Sequence, residues 1–251
     1  MLRIALIGFG KMGQTLSLLA PHFGMEIVAK IDPFVDGCAR EISEENLNNC
    51  DVCIEYTTPQ TVIENCRKIA ALGKQIVIGT TGLDSHLSEL KGIAEKYKIG
   101  IVYSANYSIG MNVFFKLLEH AAKLFSPLEG YDVSGLEIHH RQKLDSPSGT
   151  AKKITQLLID NLQTKTKEQY DKVDGRIAKD ELHFASIRSG ANMGEHTVYF
   201  DSDADVITLS HSIRNRNGLA EGTLRAAEWI GTKKGLFNFQ ELFEEIIGDK
   251  K

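Results

Sequence analysis

The sequence has few cysteines and no long hydrophobic run. Four cysteines in 251 residues cannot supply the disulfide framework that stabilises many small secreted proteins. No apolar segment approaches the roughly 18 to 20 residues that a membrane-spanning helix needs, so we expect no membrane partner. Met1 leads straight into a strand-like segment, and no secretory signal is therefore expected.

Positive charge is not in surplus. The chain carries 29 Lys and Arg against 33 Asp and Glu, a formal net charge of −4. A protein that binds nucleic acid non-specifically needs an excess of basic residues. We therefore expect no nucleic-acid partner.

Motifs of phosphate transfer and metal hydrolysis are also missing. The sequence contains neither a G-x-x-x-x-G-K-[ST] loop nor an H-E-x-x-H pair. Cys50 and Cys53 form a C-x-x-C, but no second pair and no nearby histidine completes a metal site. We expect no metal, and we expect Cys53 to be a buried strand residue.

Strand-like and helix-like segments alternate over the first hundred residues. Continuous apolar runs are typical of strands covered on both faces, and apolar residues at helical spacing lie between them. The predicted strands are Leu2–Ile7, Glu26–Ile31, Asp51–Tyr56, Gln75–Ile78 and Ile99–Tyr103, and the predicted helices are Lys11–Ala20, Thr58–Leu72 and Asp84–Tyr97. Such alternation with short connections indicates a doubly wound parallel sheet of the Rossmann-like α/β class.

The pattern changes after residue 108. The predicted helices are Met111–Phe125, Thr150–Leu162, Leu219–Ile230 and Leu242–Ile247, and the predicted strands are Val133–His140, Leu182–Arg188, Glu195–Phe200 and Val206–His211. One stripe of the first of these helices holds Val113, Leu117, Ala121 and Leu124. Because few helices separate the strands, this part indicates a second, α+β domain with a mixed sheet.

The segment Lys165–Glu181 has ten charged residues in seventeen and almost no large apolar ones. It cannot bury much surface, so we expect a mobile surface loop. A lid, or an arm that reaches a neighbouring subunit, is the alternative.

A glycine-rich loop follows the first predicted strand and opens the first predicted helix. The segment from Gly8 to Gly13 fits G-x-G-x-x-G, with Gly10 as the middle glycine. In this context the loop is typical of a dinucleotide site, where the pyrophosphate meets a helix N-terminus. Asp32 ends the second predicted strand, where an acid can accept a hydrogen bond from a ribose hydroxyl.

Ligands of parallel sheets bind beyond the carboxyl ends of the strands. Three more polar segments are predicted to lie there: Thr57-Thr58-Pro59, Gly79-Thr80-Thr81-Gly82 and Ser104-Ala105-Asn106-Tyr107. Small and hydroxylic residues would leave room for a nicotinamide and for hydrogen bonds to its carboxamide.

The segment from Glu137 to Ala151 gathers basic, acidic and helix-start residues. Ser148 is a good N-cap, so the N–H groups of Gly149 and Thr150 can bind a carboxylate. Lys143 adds a positive charge and an exchangeable proton. A solvated basic loop with core histidines is the alternative interpretation.

Every fixed position of E-x-H-H-x-x-K-x-D-x-P-S-G-T-A is met in this segment, which resembles the signature of the 4-hydroxy-tetrahydrodipicolinate reductase family, also called dihydrodipicolinate reductases. The resemblance spans nearly the whole chain. It includes the glycine loop, 79–82, 104–107, 188–190, 194–197, Arg216 and 220–222.

The resemblance implies a domain plan and an assembly. Residues 1–108 would bind the dinucleotide and would be completed by 217–251. Residues 109–216 would bind the substrate and mediate oligomerisation. Family members are usually cytoplasmic homotetramers.

The resemblance also implies a reaction, the NAD(P)H-dependent reduction of 4-hydroxy-tetrahydrodipicolinate to tetrahydrodipicolinate with loss of water, in the diaminopimelate route to lysine. His139 would be the general acid or base and Lys143 the proton donor, while His140, Gly149 and Thr150 would hold the carboxylates of this cyclic substrate. The cofactor would be held by Gly8, Phe9, Gly10, Lys11, Met12, Gly13, Asp32, Gly79, Thr80, Thr81, Ser104, Ala105, Asn106 and Tyr107.

The sequence departs from the family at Pro33, where many relatives place an arginine, and at Leu219, where an aromatic is common. Asp32 would repel the 2′-phosphate of NADPH, and Pro33 removes the usual compensating charge. We expect NADH to be preferred and NADPH still to be used, with Lys11, Lys30 and Arg40 as possible compensating charges.

Two other functions remain open at this point. Another two-domain dehydrogenase of amino or keto acids would share the first hundred residues. A non-catalytic nucleotide sensor would keep the glycine loop and tolerate loss of Lys143.

Overall fold

The computed structural model describes residues 1–170 and 172–248. They fall into two units. One consists of Met1–Ile109 together with the C-terminal segment that begins at Arg216, and the other consists of Gly110–Asn215.

The strands in chain order are β1 (Leu2–Ile7), β2 (Met25–Ile31), β3 (Val52–Glu55), β4 (Gln75–Ile78), β5 (Gly100–Tyr103), β6 (Asp132–His139), β7 (Lys167–Gln169), β8 (Glu181–Arg188), β9 (Glu195–Asp201), β10 (Val206–Ser212) and β11 (Gly235–Asn238). The helices are α1 (Lys11–Leu19), α2 (Glu44–Leu47), α3 (Val62–Ala71), α4 (Leu87–Tyr97), α5 (Ile109–Phe125), α6 (Gly149–Asn161), α7 (Asn217–Ile230) and α8 (Phe239–Ile247). Within the described residues, none of these helices combines the length and hydropathy needed to cross a bilayer.

The first unit is built on a parallel six-stranded sheet. Its strand order is β11-β5-β4-β3-β1-β2, and β3 is buried at every position. Helices α3 and α4 contribute to the core on one face, and α1, α7 and α8 to the core on the other. This arrangement confirms the predicted doubly wound sheet, and the carboxyl ends of β1 to β5 share one edge.

The second unit is built on a mixed five-stranded sheet with the order β10-β9-β6-β8-β7. Strand β6 is central, antiparallel to β9 and parallel to β8. Side chains of α5 and α6 share one core with this sheet, which includes Phe184 and Phe200. The predicted mixed-sheet domain is confirmed, and its central strand leads into the segment of highest chemical interest.

Helix α5 presents a different face to the core from the predicted stripe. Phe114, Leu118 and Ala122 are buried, whereas Leu117 is 53% exposed and Leu124 is 58% exposed. The helix carries two adjacent apolar stripes. Periodicity alone does not tell which of them packs on the sheet, and the stripe with the phenylalanine does so here.

Two local predictions were wrong. Helix α3 begins at Val62 rather than next to Thr58, because the carbonyl of Thr58 accepts a hydrogen bond from Thr61 N–H and forms a separate turn. The charged segment Lys165–Glu181 is not wholly a loop, since it contains β7, which pairs with β8. Lys165 itself is buried and donates to the carbonyl oxygens of Lys179 and Glu181.

Gly222 in α7 has no room for a side chain. A Cβ at this position would collide with the carbonyl oxygen of Tyr107. Gly92 in α4 is the matched control, because a Cβ there would meet nothing within 4 Å. Urea unfolding should show that Gly222→Ala lowers the free energy of unfolding by about 1–3 kcal/mol through overpacking. Gly92→Ala should raise it by roughly 0.5–1 kcal/mol, because alanine has the higher helix propensity. Equal effects of the two substitutions would contradict this packing.

Candidate active site

The glycine loop joins β1 to α1 at the carboxyl edge of the parallel sheet. Gly8 has φ +89°, and a Cβ there would collide with the carbonyl of Tyr56. A Cβ at Gly13 would collide with the carbonyl of Gly8. At Gly10 a Cβ would meet nothing within 4 Å. Two of the glycines are therefore required by packing, and the third leaves its backbone open to a ligand.

Asp32 lies directly after β2 and links the glycine loop to the next loop. Its Oδ2 accepts a hydrogen bond from Phe9 N–H at 2.8 Å, and its Oδ1 accepts one from Phe34 N–H at 2.9 Å. The carboxylate lines a cavity of about 460 Å³ together with Gly8 and Gly10. The cavity, the open glycine backbone and the carboxylate fit the ribose end of a dinucleotide.

Two cations line the same cavity, Arg40 and Lys68. Each is already paired with an acid, Arg40 with Asp36 at 3.1 Å and Lys68 with Glu64 at 2.7 Å. Of the three predicted compensating charges, Arg40 is the one that lines the cavity. Lys11 is exposed on α1, and the ammonium of Lys30 lies 4.7 Å from the centroid of the Phe9 ring.

A buried carboxyl group organises the ends of β3 and β4. Glu55 is completely buried and accepts hydrogen bonds from the hydroxyls of Thr57 and Thr80 and from the amide of Asn65. Burial raises the pKa of Glu55, although these hydrogen bonds oppose the shift. Thr80 also accepts from Thr57 N–H at 3.0 Å. The side chain of Thr80 therefore holds two loops together.

The other predicted cofactor residues lie along the same edge. Gly79 lies against the Tyr56 ring, which leaves no space for a Cβ. The Ser104 hydroxyl accepts a hydrogen bond from Asn106 N–H at 3.0 Å. Residues with exposed side chains or backbone are Lys11, Thr81 and Ala105, and partly buried ones are Phe9 and Met12.

The side chain of Tyr107 lies in the protein core, not in an open loop. Its side chain is 1% exposed, and its hydroxyl is near the carbonyl oxygens of Ile78 and Val102, at 2.8 and 3.1 Å. The ring packs edge-on against Phe239. The side chain is a core element: the polar turn before it follows the apolar strand β5, and the large ring packs into the same core as Val102. A cofactor contact at Tyr107 would therefore be made by its backbone.

In the second unit, strand register brings five polar side chains together. Glu137 on β6 lies opposite His196 on β9 and opposite Ser186 on β8, and His139 lies opposite Arg188. Glu137 and His139 are two residues apart, so they share one face of the sheet. Strand β6 ends at His139, and His140 lies outside it.

The Glu137 carboxylate is completely buried and surrounded by donors. Its Oε1 accepts from Ser148 N–H at 3.0 Å and from the Ser186 hydroxyl at 2.8 Å, and it lies 3.3 Å from an Arg188 guanidinium nitrogen. Its Oε2 lies 3.4 Å from His139 Nδ1. Burial alone would raise the pKa of Glu137, but the hydrogen bonds outweigh burial and hold that pKa well below its usual range. The group is therefore an anion at neutral pH.

His139 is also buried, at 7% exposure. Its pKa is lowered to about 4. Burial is the main cause, the charges of His196, Lys143 and Arg188 act in the same direction, and the Glu137 charge opposes them. The imidazole is therefore neutral at pH 7. A neutral imidazole can take up a proton or transmit one.

Lys143 and the start of α6 already hold a carboxylate. The Lys143 ammonium lies 2.7 Å from Asp145 Oδ1. Burial would raise the pKa of Asp145, but the Lys143 hydrogen bond and the Gly149 N–H lower it overall. The predicted N-cap is confirmed, because the Ser148 hydroxyl accepts from Ala151 N–H at 3.0 Å. Thr150, in the first turn, is partly buried.

Glu137, His139 and His196 place nitrogen and oxygen atoms within 4.8 Å of one another. Arg188 already supplies a positive charge to the same carboxylate. The donor set therefore suits proton handling better than the binding of a divalent cation.

Comparison with known proteins agrees with this geometry. Residues 2–107 match the profile of the dihydrodipicolinate reductase N-terminus, and residues 110–243 match that of the C-terminus. The chain belongs to the dihydrodipicolinate reductase family. It is 33% identical over 248 residues to a 4-hydroxy-tetrahydrodipicolinate reductase of Christiangramia forsetii, covering 98% of this chain and 99% of the relative.

Two further members of the dihydrodipicolinate reductase family are similar. The protein of Chromohalobacter salexigens is 39% identical over 198 residues, covering 76% of this chain and 72% of the relative. The dipicolinate-bound dihydrodipicolinate reductase from Paenisporosarcina sp. TG-14 superposes with a TM-score of 0.75 at 27% identity, covering 95% of this chain and 97% of that one.

Sequence reasoning assigned no role to Glu55, Glu137, Arg188 or His196. In this member of the dihydrodipicolinate reductase family, both glutamates are completely buried on interior strands of their sheets. The available signal was a carboxyl residue inside an otherwise apolar strand, since such a group is rarely buried without several donors.

Proposed function

We propose that the chain reduces 4-hydroxy-tetrahydrodipicolinate to tetrahydrodipicolinate with NADH or NADPH, releasing water, in the diaminopimelate route to lysine. The observation that carries the proposal is the carboxylate of Asp145 held between Lys143 and the first turn of α6, together with the neutral imidazole of His139, whose pKa the Lys143 charge lowers. A substrate carboxylate would find the same partners. The dipicolinate bound to the Paenisporosarcina relative is a cyclic dicarboxylate of this kind.

The first unit would hold the cofactor through the glycine loop, Asp32 and the loops after β4 and β5. A bound nicotinamide supplies the hydride. The chain's own contribution there is an open backbone at Gly10 and a carboxylate at the ribose. The packing at Gly8 and Gly13 keeps the start of α1 close to the sheet, where its N–H groups can meet a pyrophosphate.

The second unit would hold the substrate and manage its proton. Lys143, His140 and the N–H groups of Gly149 and Thr150 would bind the two carboxylates. The net reaction takes up one hydride and one proton and releases one water molecule. His139 would act as the general acid or base, and Lys143 would donate the proton.

The homotetramer and the cytoplasmic location stay predictions from the family resemblance. An oligomerisation role for the second unit is supported by exposed apolar side chains on its sheet, Ile187 on β8 and Val206 and Ile207 on β10. Exposed apolar groups on an edge strand are typical of a surface that is covered by another chain.

NADH should be the better cofactor. Asp32 would accept from the ribose 2′-hydroxyl and repel a 2′-phosphate, and both cations of the cavity are already paired with acids. We expect kcat/KM to favour NADH by roughly ten-fold, since partly screened repulsion of this kind is on the order of 1–2 kcal/mol. NADPH should still be used.

Asp32→Asn tests whether Asp32 sets the preference for NADH, because the substitution removes the charge and keeps an oxygen acceptor. The ratio of kcat/KM for NADH to that for NADPH should fall towards one or below. Lys91→Ala is the control, since Lys91 is exposed on α4 and does not line the cavity, and the ratio should stay in place. An NADPH preference of the wild-type protein would overturn the assignment and direct attention to Arg40 and Lys68.

Lys143→Ala should lower turnover by roughly 100-fold, the usual scale for losing acid–base assistance. The assay follows NADH oxidation with the condensation product of pyruvate and aspartate semialdehyde, and the Kd for NADH should not change. Lys152→Ala, which removes an exposed charge near the start of α6, is the control. Near wild-type turnover of Lys143→Ala would show that Lys143 is not the donor.

The same assay separates the other functions. A different two-domain dehydrogenase would leave this substrate unreduced, and a nucleotide sensor would bind NADH without oxidising it. Either result would contradict the proposed activity.

A further inference from the structure

Glu137 has a role that the proposed reaction does not yet use. It is a completely buried carboxylate on the central strand of the second sheet. An isolated buried charge is unstable unless donors surround it. Here the donors come from β8 and from the N-cap of α6, and two imidazoles, one on β9 and one at the end of β6, lie close by.

The two carboxylate oxygens face different parts of the site. Oε1 is held by Ser148 N–H, the Ser186 hydroxyl and Arg188. Oε2 accepts no hydrogen bond from the described residues, but it lies 3.4 Å from His139 Nδ1 and 3.5 Å from His196 Nε2. The first oxygen therefore anchors the carboxylate, and the second faces two imidazoles.

We propose that Glu137 is a positioning residue whose buried carboxylate sets the tautomer and orientation of His139 and ties its ring to the carboxylate-binding start of α6. The inference rests on the proposed acid–base role of His139. Oε2 favours the tautomer that carries hydrogen on Nδ1, because the opposite tautomer would point a lone pair at an anion. The 3.4 Å separation suits a contact that shortens when substrate binds.

The other ring nitrogen, Nε2, then presents its lone pair beside Gly194. A Cβ at residue 194 would lie 3.1 Å from Nε2. Because residue 194 is glycine with φ +139°, it has no side chain of its own to cover this nitrogen. Nε2 is therefore the atom that can exchange a proton with a substrate.

His196 shares the same carboxylate oxygen. The His139 and His196 rings meet edge to face with centroids 5.2 Å apart. His196 Nε2 also lies 3.3 Å from the Ser148 hydroxyl, which caps α6. The charged and titratable groups that face His139 are thus Glu137 from its own strand, Arg188 from β8, His196 from β9 and Lys143 from the following loop.

Glu137→Gln tests the inference with the smallest change of shape. Three donors hold the Oε1 side, so the new amide nitrogen takes the Oε2 side and donates to His139 Nδ1, which forces the ring hydrogen onto Nε2. We expect kcat to fall at least roughly ten-fold, since an orienting carboxylate that sets a histidine tautomer contributes up to about 10⁴-fold in serine proteases. The Kd for NADH, whose site lies in the other unit, should not change.

The pKa of His139, followed by ¹⁵N-imidazole NMR and assigned by its loss in His139→Gln, supplies a readout that a structural role would not move. Removing the Glu137 charge should lower this pKa. Ser186→Ala, which removes one donor to Oε1 and keeps the charge, is the control and should leave the pKa in place.

His196→Phe should shift the pKa of His139 in the opposite direction. It removes the neighbouring imidazole that competes for Oε2 and lowers the pKa of His139, so that pKa should rise. General loosening of the fold would not shift the pKa of His139 in opposite directions in the two variants. This variant also decides the matter if Glu137→Gln does not fold, because an unchanged or lowered pKa in His196→Phe would overturn the inference.

The outcomes distinguish the positioning role of Glu137 from the acid–base role of His139 on which it rests. Wild-type turnover of His139→Gln would refute the acid–base role of His139. An inactive His139→Gln together with a Glu137→Gln of wild-type kcat, or with an unmoved His139 pKa, would refute the positioning role alone. Loss of kcat in both, with pKa shifts of the expected signs, supports both.

Discussion

A single buried negative charge constrains the second unit. The Glu137 carboxylate lies at the centre of a five-stranded sheet, and its desolvation must be offset by donors with good geometry. The backbone of Ser148, the hydroxyl of Ser186 and the guanidinium of Arg188 meet that requirement. The register of β6 with β8 and β9 and the position at which α6 begins bring these donors to the carboxylate.

In the first unit too, carboxylates held by several donors lie at the edge of the parallel sheet. Glu55 is buried where β3 ends and holds Thr57 and Thr80, which begin two of the loops that border the cofactor site. Asp32 joins the loops after β1 and β2 through two backbone N–H groups. Loops carry little packing energy of their own, so buried or partly buried carboxylates give this edge its fixed shape.

The doubly wound sheet, the mixed second sheet and the N-cap at Ser148 could be predicted from the sequence, because hydrophobic periodicity and capping chemistry are local. The packed face of α5 could not, since two apolar stripes run along that helix and only the sheet selects one. The start of α3 depended on a turn at Thr58 that competes with helix capping. Tyr107 follows a polar turn, but tertiary packing places its ring in the core. The contacts of Glu137 depend on strand register between segments about fifty residues apart, which no local pattern reports.

The central claim is that the Glu137 carboxylate sets the tautomer of a neutral His139, with hydrogen on Nδ1 and a free lone pair on Nε2. The ¹⁵N chemical shifts of the His139 ring in the wild-type protein at neutral pH measure this state directly. The account predicts a protonated Nδ1 and an unprotonated Nε2. A ring that carries its hydrogen on Nε2, or on both nitrogens at neutral pH, would contradict it.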